Sequence, residues 1–316
     1  MSAPAFALPP VGAPLLSLRH VCKSYGDKRA VNDVSLEVPR GSIYGFLGPN
    51  GSGKTTTIRS IMNIILPDSG EITLAGRPLE LSMRDRIGYL PEERGLYRKM
   101  KCQDQLVFLA RLKGVPRSVA RTRARQWLDR MELGAYADRK IDNLSKGMQQ
   151  KIQFAATFIF EPDLVILDEV FSGLDPLNIE LLREMILQEK AKGTTILFST
   201  HMLHEAEKIC DSICLIEGGQ VILDGTMAAV RAAFPLRSLR VAWADETEPP
   251  AGLAGVRHVE KHEGSWRLTI DEGTDPSALL PQLVAAGRLT FFSAGRPSLS
   301  EIFLAAVARR RGEVAA

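Results

Sequence analysis

Between residues 48 and 55 the chain reads Gly48-Pro49-Asn50-Gly51-Ser52-Gly53-Lys54-Thr55, which meets every fixed position of the pattern G-x-x-x-x-G-K-[ST]. No other stretch constrains the fold as strongly. The glycines let backbone N–H groups turn inward, where a Cβ would stand in the way. The run 42–47 before the pattern predicts a strand. Residues 53–65 after it predict a helix, ended by Pro67 and Gly70. A strand, a glycine-rich loop and a helix in that order form a cradle for phosphate oxygens. The helix start near Gly53 adds its positive dipole end. Lys54 can reach β- and γ-phosphates, and the Thr55 hydroxyl can ligate Mg²⁺.

The rest of the chain supplies a domain for this loop. Residues 1–14, with Pro4, Pro9 and Pro10, read as a flexible tail. Strands are predicted at 15–21, 34–38 and 71–74. The alternation in Val34-Ser35-Leu36-Glu37-Val38 predicts a sheet with one buried face. From about 100 to 160 the pattern is helical, with helices over 103–113 and 118–131 and a third starting at the N-cap Ser145. Between 111 and 151 there are eleven basic and four acidic residues, which reads first as a solvated helical face and alternatively as a docking surface for acidic loops of a partner. Strands and helices then alternate to about residue 234, which predicts an α/β domain with parallel strands. Pro235 marks an expected boundary. Residues 236–316 carry balanced charge and short alternating pieces, and predict a small α+β domain.

Composition removes several function classes. A formal net charge of +3 over 316 residues gives no general attraction to nucleic acid or membrane. Four cysteines with no C-x-x-C pair provide neither a disulfide scaffold nor a zinc framework. No apolar run approaches the roughly 18 residues of a spanning helix, and the start lacks the basic region of a secretory signal. Work at a membrane would require another chain to cross it.

Two further patterns carry chemistry. Leu164-Val165-Ile166-Leu167-Asp168-Glu169 is an apolar strand ending in two carboxylates. At the C-terminal end of a parallel strand Asp168 can hold Mg²⁺, and Glu169 can act as general base toward water. His201 follows another strand, 194–199, from where it can reach a γ-phosphate.

With Leu144-Ser145-Lys146-Gly147-Met148-Gln149-Gln150 as a third motif, residues 15–232 resemble the nucleotide-binding subunit of ABC transporters. The elements stand in the family's order: the phosphate loop, the signature at 144–150, the Walker B pair Asp168-Glu169, a D-loop with Asp175, and His201 as switch histidine. The resemblance implies a RecA-like α/β core with an antiparallel β subdomain and a helical subdomain at about 100–160. The cassette would span 15–234, with an accessory domain at 235–316. It also implies ATP and Mg²⁺ as cofactors. Lys54, Glu169 and His201 would be catalytic, and Thr55, Asp168 and Glu92 would bind metal. Tyr25 would stack on adenine, residues 48–56, including Thr56, would hold the phosphates, and Ser145 to Gln149 with Asp175 would serve the nucleotide of a second cassette. The partners implied are that second cassette, in a homodimer, and a separate membrane permease at the cytoplasmic face.

Three positions depart from the family pattern. Lys146 stands where glycine is usual, Glu92 replaces the Q-loop glutamine, and Val170 stands where proline is usual. Leu90-Pro91-Glu92-Glu93-Arg94-Gly95-Leu96-Tyr97 and the C-terminal Ser298-Leu299-Ser300-Glu301-Ile302-Phe303 are similar to the exporter branch that includes sodium-extrusion ATPases. Members acting on DNA or ribosomes carry a long coiled coil or two cassettes. Here one cassette is present without sustained heptads, so transport is expected and nucleic acid is not.

Overall fold

The computed structural model of the chain describes residues 7–93, 95–234, 238–245, 248–262, 264–271, 273–295 and 297–311. Residues 1–6 of the expected tail, Arg94 and the boundary residue Pro235 lie outside them. The chain divides into two compact units, Met1–Gly225 and Thr226–Ala316.

In the first unit, β1 (Pro14–Tyr25) and β2 (Lys28–Pro39) pair antiparallel. β3 (Ile43–Leu47) enters a second sheet and runs through the phosphate loop into α1 (Lys54–Ile61). The chain returns to the first sheet with β4 (Ser69–Leu74) and the short β5 (Arg77–Pro78), giving the order β2-β1-β4-β5. The expected alternation holds on β2, where Val34, Leu36 and Val38 are buried and Ser35 and Glu37 exposed. After β6 (Ile87–Leu90) come α2 (Cys102–Leu112), α3 (Arg117–Arg130) and α4 (Lys146–Phe158). Their shared core includes Trp127, whose ring stacks on Phe158 with centroids 5.9 Å apart.

The chain then alternates through β7 (Leu164–Asp168), α5 (Pro176–Ala191), β8 (Thr195–Thr200), α6 (Leu203–Ile209), β9 (Ser212–Glu217) and β10 (Gln220–Thr226). The second sheet has the order β10-β9-β3-β8-β7-β6 and is parallel from β9 to β6. β3, β7 and β8 are buried along their whole length, as strands covered on both faces must be. Their C-terminal ends carry Gly48, Asp168-Glu169 and His201 to one edge of the sheet.

Three local differences from expectation have physical causes. α1 stops at Ile61 rather than 65, because Asn63 takes φ +51° and the N–H of Ile64 turns back to Arg59 O at 2.9 Å. Residues 8–13 are not loose: Leu8 packs on the core, and Gly12 and Ala13 exchange backbone hydrogen bonds with Arg40 at 3.1 and 2.8 Å. The expected boundary at 234/235 falls after α7 (Met227–Ala233), whereas the compact units divide before it. Phe234, which ends α7, packs under the Arg309 guanidinium at 4.6 Å, within the second unit.

The second unit continues with β11 (Ser238–Trp243), β12 (Val256–His262), β13 (Ser265–Ile270), α8 (Pro276–Ala285), β14 (Leu289–Gly295) and α9 (Leu299–Arg311). Its antiparallel sheet has the order β12-β13-β11-β14. Leu239, Val241 and Trp243 from β11 pack with Leu268, Leu279 and Leu283 in a core of its own, and Trp243 Nε1 donates to Leu283 O at 2.9 Å. This is the small α+β domain that the sequence predicts.

Candidate functional site

The phosphate loop is shaped by positions that tolerate no side chain. A Cβ on Gly48 would stand 2.2 Å from Ile216 O. One on Gly53, which has φ +105°, would stand 2.4 Å from Ala30 O. Gly51 also has positive φ, +77°. Backbone from β2 and β9 therefore closes against the loop where only hydrogen fits. Lys54 is the first residue of α1 and is buried. Its Nζ donates to Gly48 O at 2.7 Å and Pro49 O at 3.1 Å and lies 3.9 Å from Glu169 Oε1. Burial pulls the Lys54 ammonium below its usual range, while Glu169, Asp168 and Glu92 pull the other way.

Asp168 ends β7, and its two oxygens are held separately. Ser199 Oγ donates to Oδ1 at 2.8 Å, and Thr55 Oγ1 donates to Oδ2 at 3.4 Å. Burial pushes the carboxyl above its usual range. The Ser199 hydrogen bond opposes this, and the charges of Glu169 and Glu92 add to it. Glu169 follows with φ +52°, a left-handed conformation unusual for a side chain of this size. Its Oε1 accepts from His201 N at 3.0 Å and lies 2.9 Å from His201 Nδ1, and Oε2 accepts from Thr200 Oγ1 at 3.2 Å. Neighbouring strand ends thus bring Glu169 to Lys54 and Asp168 to Thr55.

A cavity of about 460 Å³ opens here, within the roughly 300–1,000 Å³ of small-molecule sites. It is lined by Tyr25, Asn50, Thr55, Thr56, Glu92 and Glu169 among others. Tyr25 is 49% exposed and so presents its ring to the cavity rather than to a core. The residues fit a nucleotide with a divalent cation: a cradle without Cβ atoms for phosphates, an aromatic ring at the rim, and carboxylates that a cation would favour in their charged form. Among the described residues no group of three or more His, Cys, Asp or Glu could hold a metal ion unaided.

The signature lies elsewhere. Ser145 caps α4, with Oγ accepting from Met148 N at 3.2 Å. Asp175 caps α5 and accepts from Asn178 N at 3.0 Å, which holds its carboxyl below the usual range. A Cβ on Gly147 would stand 3.4 Å from Asn178 Nδ2, so the two helix starts are neighbours. Neither Ser145 to Gln149 nor Asp175 lines the phosphate cavity of the same chain. Lys146 is exposed, and Gln149 turns inward, donating to Leu144 O at 3.0 Å.

The sequence reading missed Ser199 and Thr200, which hold the two carboxylates, and Ala30, whose carbonyl closes on Gly53. The Ser-Thr pair directly before His201 was the available signal for the first two. Nothing in the sequence marks Ala30. A larger cavity, about 840 Å³, opens at the opposite edge of the sheet beside Asp163 and Thr194. Three of its cations face its own acids, Arg130 and Lys192 on Glu189 at 2.7 and 2.8 Å and Arg123 on Glu161, while Arg40 donates to Pro9 O at 2.5 Å.

This arrangement defines a class, the phosphate-loop nucleotide-hydrolysing proteins of α/β architecture. A profile of the ABC transporter family matches residues 31–172, and one of the ATP-binding protein DrrA1-3-like C-terminal domain matches 225–307. The uncharacterized ABC transporter ATP-binding protein YhaQ of Bacillus subtilis (strain 168) is 38% identical over 92% of this chain and 97% of its own length. Nod factor export ATP-binding protein I of Burkholderia orbicola (strain AU 1054) is 37% identical over 68% of this chain and 72% of its own. A solved structure of an ATP binding subunit of an ABC transporter superposes with a TM-score of 0.65 at 34% identity, over 70% of this chain and 93% of that one. The chain belongs to the ABC transporter family, as an ATP-binding subunit with ATPase activity. It also carries the additional C-terminal domain that the sequence anticipated.

Proposed function

We propose that this chain hydrolyses ATP between two copies of itself and thereby drives a separate membrane permease, in the export direction. The observation that carries this reading is the separation of the two halves of the site. Lys54, Thr55 and Glu169 line one cavity, with Asp168 behind them on Thr55 Oγ1, while Ser145 and Gly147, at the start of α4, take no part in its lining. A helix start with an exposed hydroxyl suits the γ-phosphate of a nucleotide held by another copy. In this reading Thr55, Asp168 and Glu92 hold Mg²⁺, which when bound offsets charge on the phosphates. Lys54 binds the β- and γ-phosphates, Tyr25 supports the base, and His201 keeps Glu169 oriented toward the attacking water. Glu169 accepts the proton of that water.

In this reading the cassette ends at Gly225, and the unit from Thr226 acts as an accessory domain that steadies or regulates the dimer. The relative named for Nod factor export supports the export direction. In this reading the chain attaches peripherally at the cytoplasmic face through the permease; no helix among the described residues is long and apolar enough to cross a membrane. ATP hydrolysis by the purified chain, dependent on Mg²⁺ and accompanied by ATP-driven dimerisation, tests the reading. A chain that binds no nucleotide overturns it.

The permease docks beside Glu92. An apolar groove of about 360 Å³ lies there, lined by Tyr89, Pro91, Leu96, Leu109, Leu112 and Phe160 among others. Exposed Arg98, Lys99 and Lys101 follow in sequence. The backbone at 98–102 runs antiparallel to 139–142, with Lys101 opposite Lys140, so the basic surface includes Arg139 and Lys140 as well. Lys101 is itself paired with Asp138 at 3.1 Å, so Arg98, Lys99, Arg139 and Lys140 carry the attraction for an acidic partner. Reversing Arg98 and Lys99 to Glu lowers permease affinity by roughly tenfold, on the scale of two exposed pairs. The ATPase of the isolated chain stays near wild type. Co-purification from membranes and transport assays check this, and unchanged assembly places the interface elsewhere.

A further inference from the structure

Helix α4 carries the signature at its N-terminus, and its side chains also grip the loops of the chain's own site. Gln150 and Gln153 stand three residues apart and so share a helix face. Both are buried. Gln150 Nε2 donates to Val170 O at 3.3 Å, on the residue directly after Glu169. Gln153 Nε2 donates to Pro91 O and Glu93 O, each at 3.3 Å, the carbonyls on either side of Glu92. Gln149 ties the helix in the other direction, to Ile141 O at 3.2 Å and Leu144 O at 3.0 Å in the signature loop. One thirteen-residue helix therefore fastens three loops: the one offered to a second copy, and the two that carry carboxylates of its own cavity.

Buried amides are costly unless bonded, and apolar side chains would hold a helix against a sheet without that cost. Hydrogen bonds to loop carbonyls fix direction as well as distance, which apolar packing does not. The receiving backbone is also unusual. Glu169 sits at φ +52° one residue before the carbonyl that Gln150 holds. A small displacement of α4 is transmitted to both carboxylate loops together.

We propose that Gln150 and Gln153 are positioning residues that make the two nucleotide sites of the dimer interdependent. When the α4 start engages a nucleotide held by the second copy, the two amides shift the backbone at Glu92 and Glu169 of the first. The inference rests on the sandwich-dimer reading above. It adds that these two amides carry the engagement of α4 to the loops of Glu92 and Glu169.

Gln150→Met and Gln153→Met keep side-chain length and remove the amide donors. Hydrolysis by the full chain is measured against ATP concentration, alongside the melting temperature and the affinity of the monomer for ATP at low protein concentration. Wild type gives a Hill coefficient approaching about 2, the number of sites. The double variant falls toward 1 with reduced turnover, while monomer affinity and melting temperature stay close to wild type. An unchanged Hill coefficient overturns the inference, and so does a lowered coefficient that comes with a lowered melting temperature, which marks a structural role only. If the Met variants do not fold, Gln150→Asn and Gln153→Asn, which draw the amide back by one methylene, are read by the same criteria. Glu169→Gln separates the two levels. If that variant stays monomeric in saturating ATP, the dimer reading falls and this inference with it. If it dimerises and the glutamine variants remain cooperative, this inference alone falls.

Discussion

Glu169→Gln binds ATP as wild type does and loses hydrolysis by about 10²–10⁴-fold, the usual span of a removed general base. The substitution keeps the side chain's size and its place beside Thr200 and His201, whose donors now hold Glu169 at 3.2 and 3.0 Å. The charge that accepts the water's proton disappears. So does the counter-charge 3.9 Å from Lys54, which removes one of the three carboxylate charges pulling on that ammonium. With phosphate binding intact and turnover blocked, the variant accumulates as an ATP-bound dimer. Phosphate release and size-exclusion chromatography with and without ATP measure the two effects. A variant hydrolysing at the wild-type rate removes Glu169 from the reaction.

Lys54→Ala fails at the earlier step. Its ammonium spans the phosphate loop through Gly48 O and Pro49 O, and truncation removes both the cation and this strut. A charge-assisted hydrogen bond is worth about 1.5–3 kcal/mol, so ATP affinity falls by roughly tenfold to a hundredfold. The protein is still expected to fold, because a buried cation held below its ordinary pKa by burial is not a major source of stability. Equilibrium binding of a fluorescent ATP analogue, with circular dichroism as the folding control, checks the loss. Wild-type affinity in Lys54→Ala contradicts the phosphate-loop reading. The two variants are distinct: one binds without turning over, and the other scarcely binds.

The phosphate loop, the Asp168-Glu169 strand end and the Ser145 cap were legible because each is written in consecutive residues. The local chemistry of a turn, a strand end or a cap needs no knowledge of the rest of the chain. What was not legible is what those motifs meet. The carbonyls of Ile216 and Ala30, which make Gly48 and Gly53 obligatory, come from distant strands, and a backbone atom leaves no mark in a sequence. Gln150 and Gln153 are similarly silent, since a glutamine in a helix reads as a solvated side chain until its neighbours are known. The ordered path of residues 8–13 escaped for a related reason. Proline and small residues suggest a loose tail, and Arg40, which holds that segment, lies on the far side of β2 in sequence.

Glu169 also sets stability and selection against one another. At φ +52° a side-chain-bearing residue costs about 1–2 kcal/mol relative to glycine, which adopts this conformation freely. Drift under selection for folding alone would therefore move this position toward glycine or asparagine, and the chain would gain robustness as it lost its base. A glutamate here therefore serves turnover at a cost to folding. A sequence optimised for stability alone would give up this glutamate early.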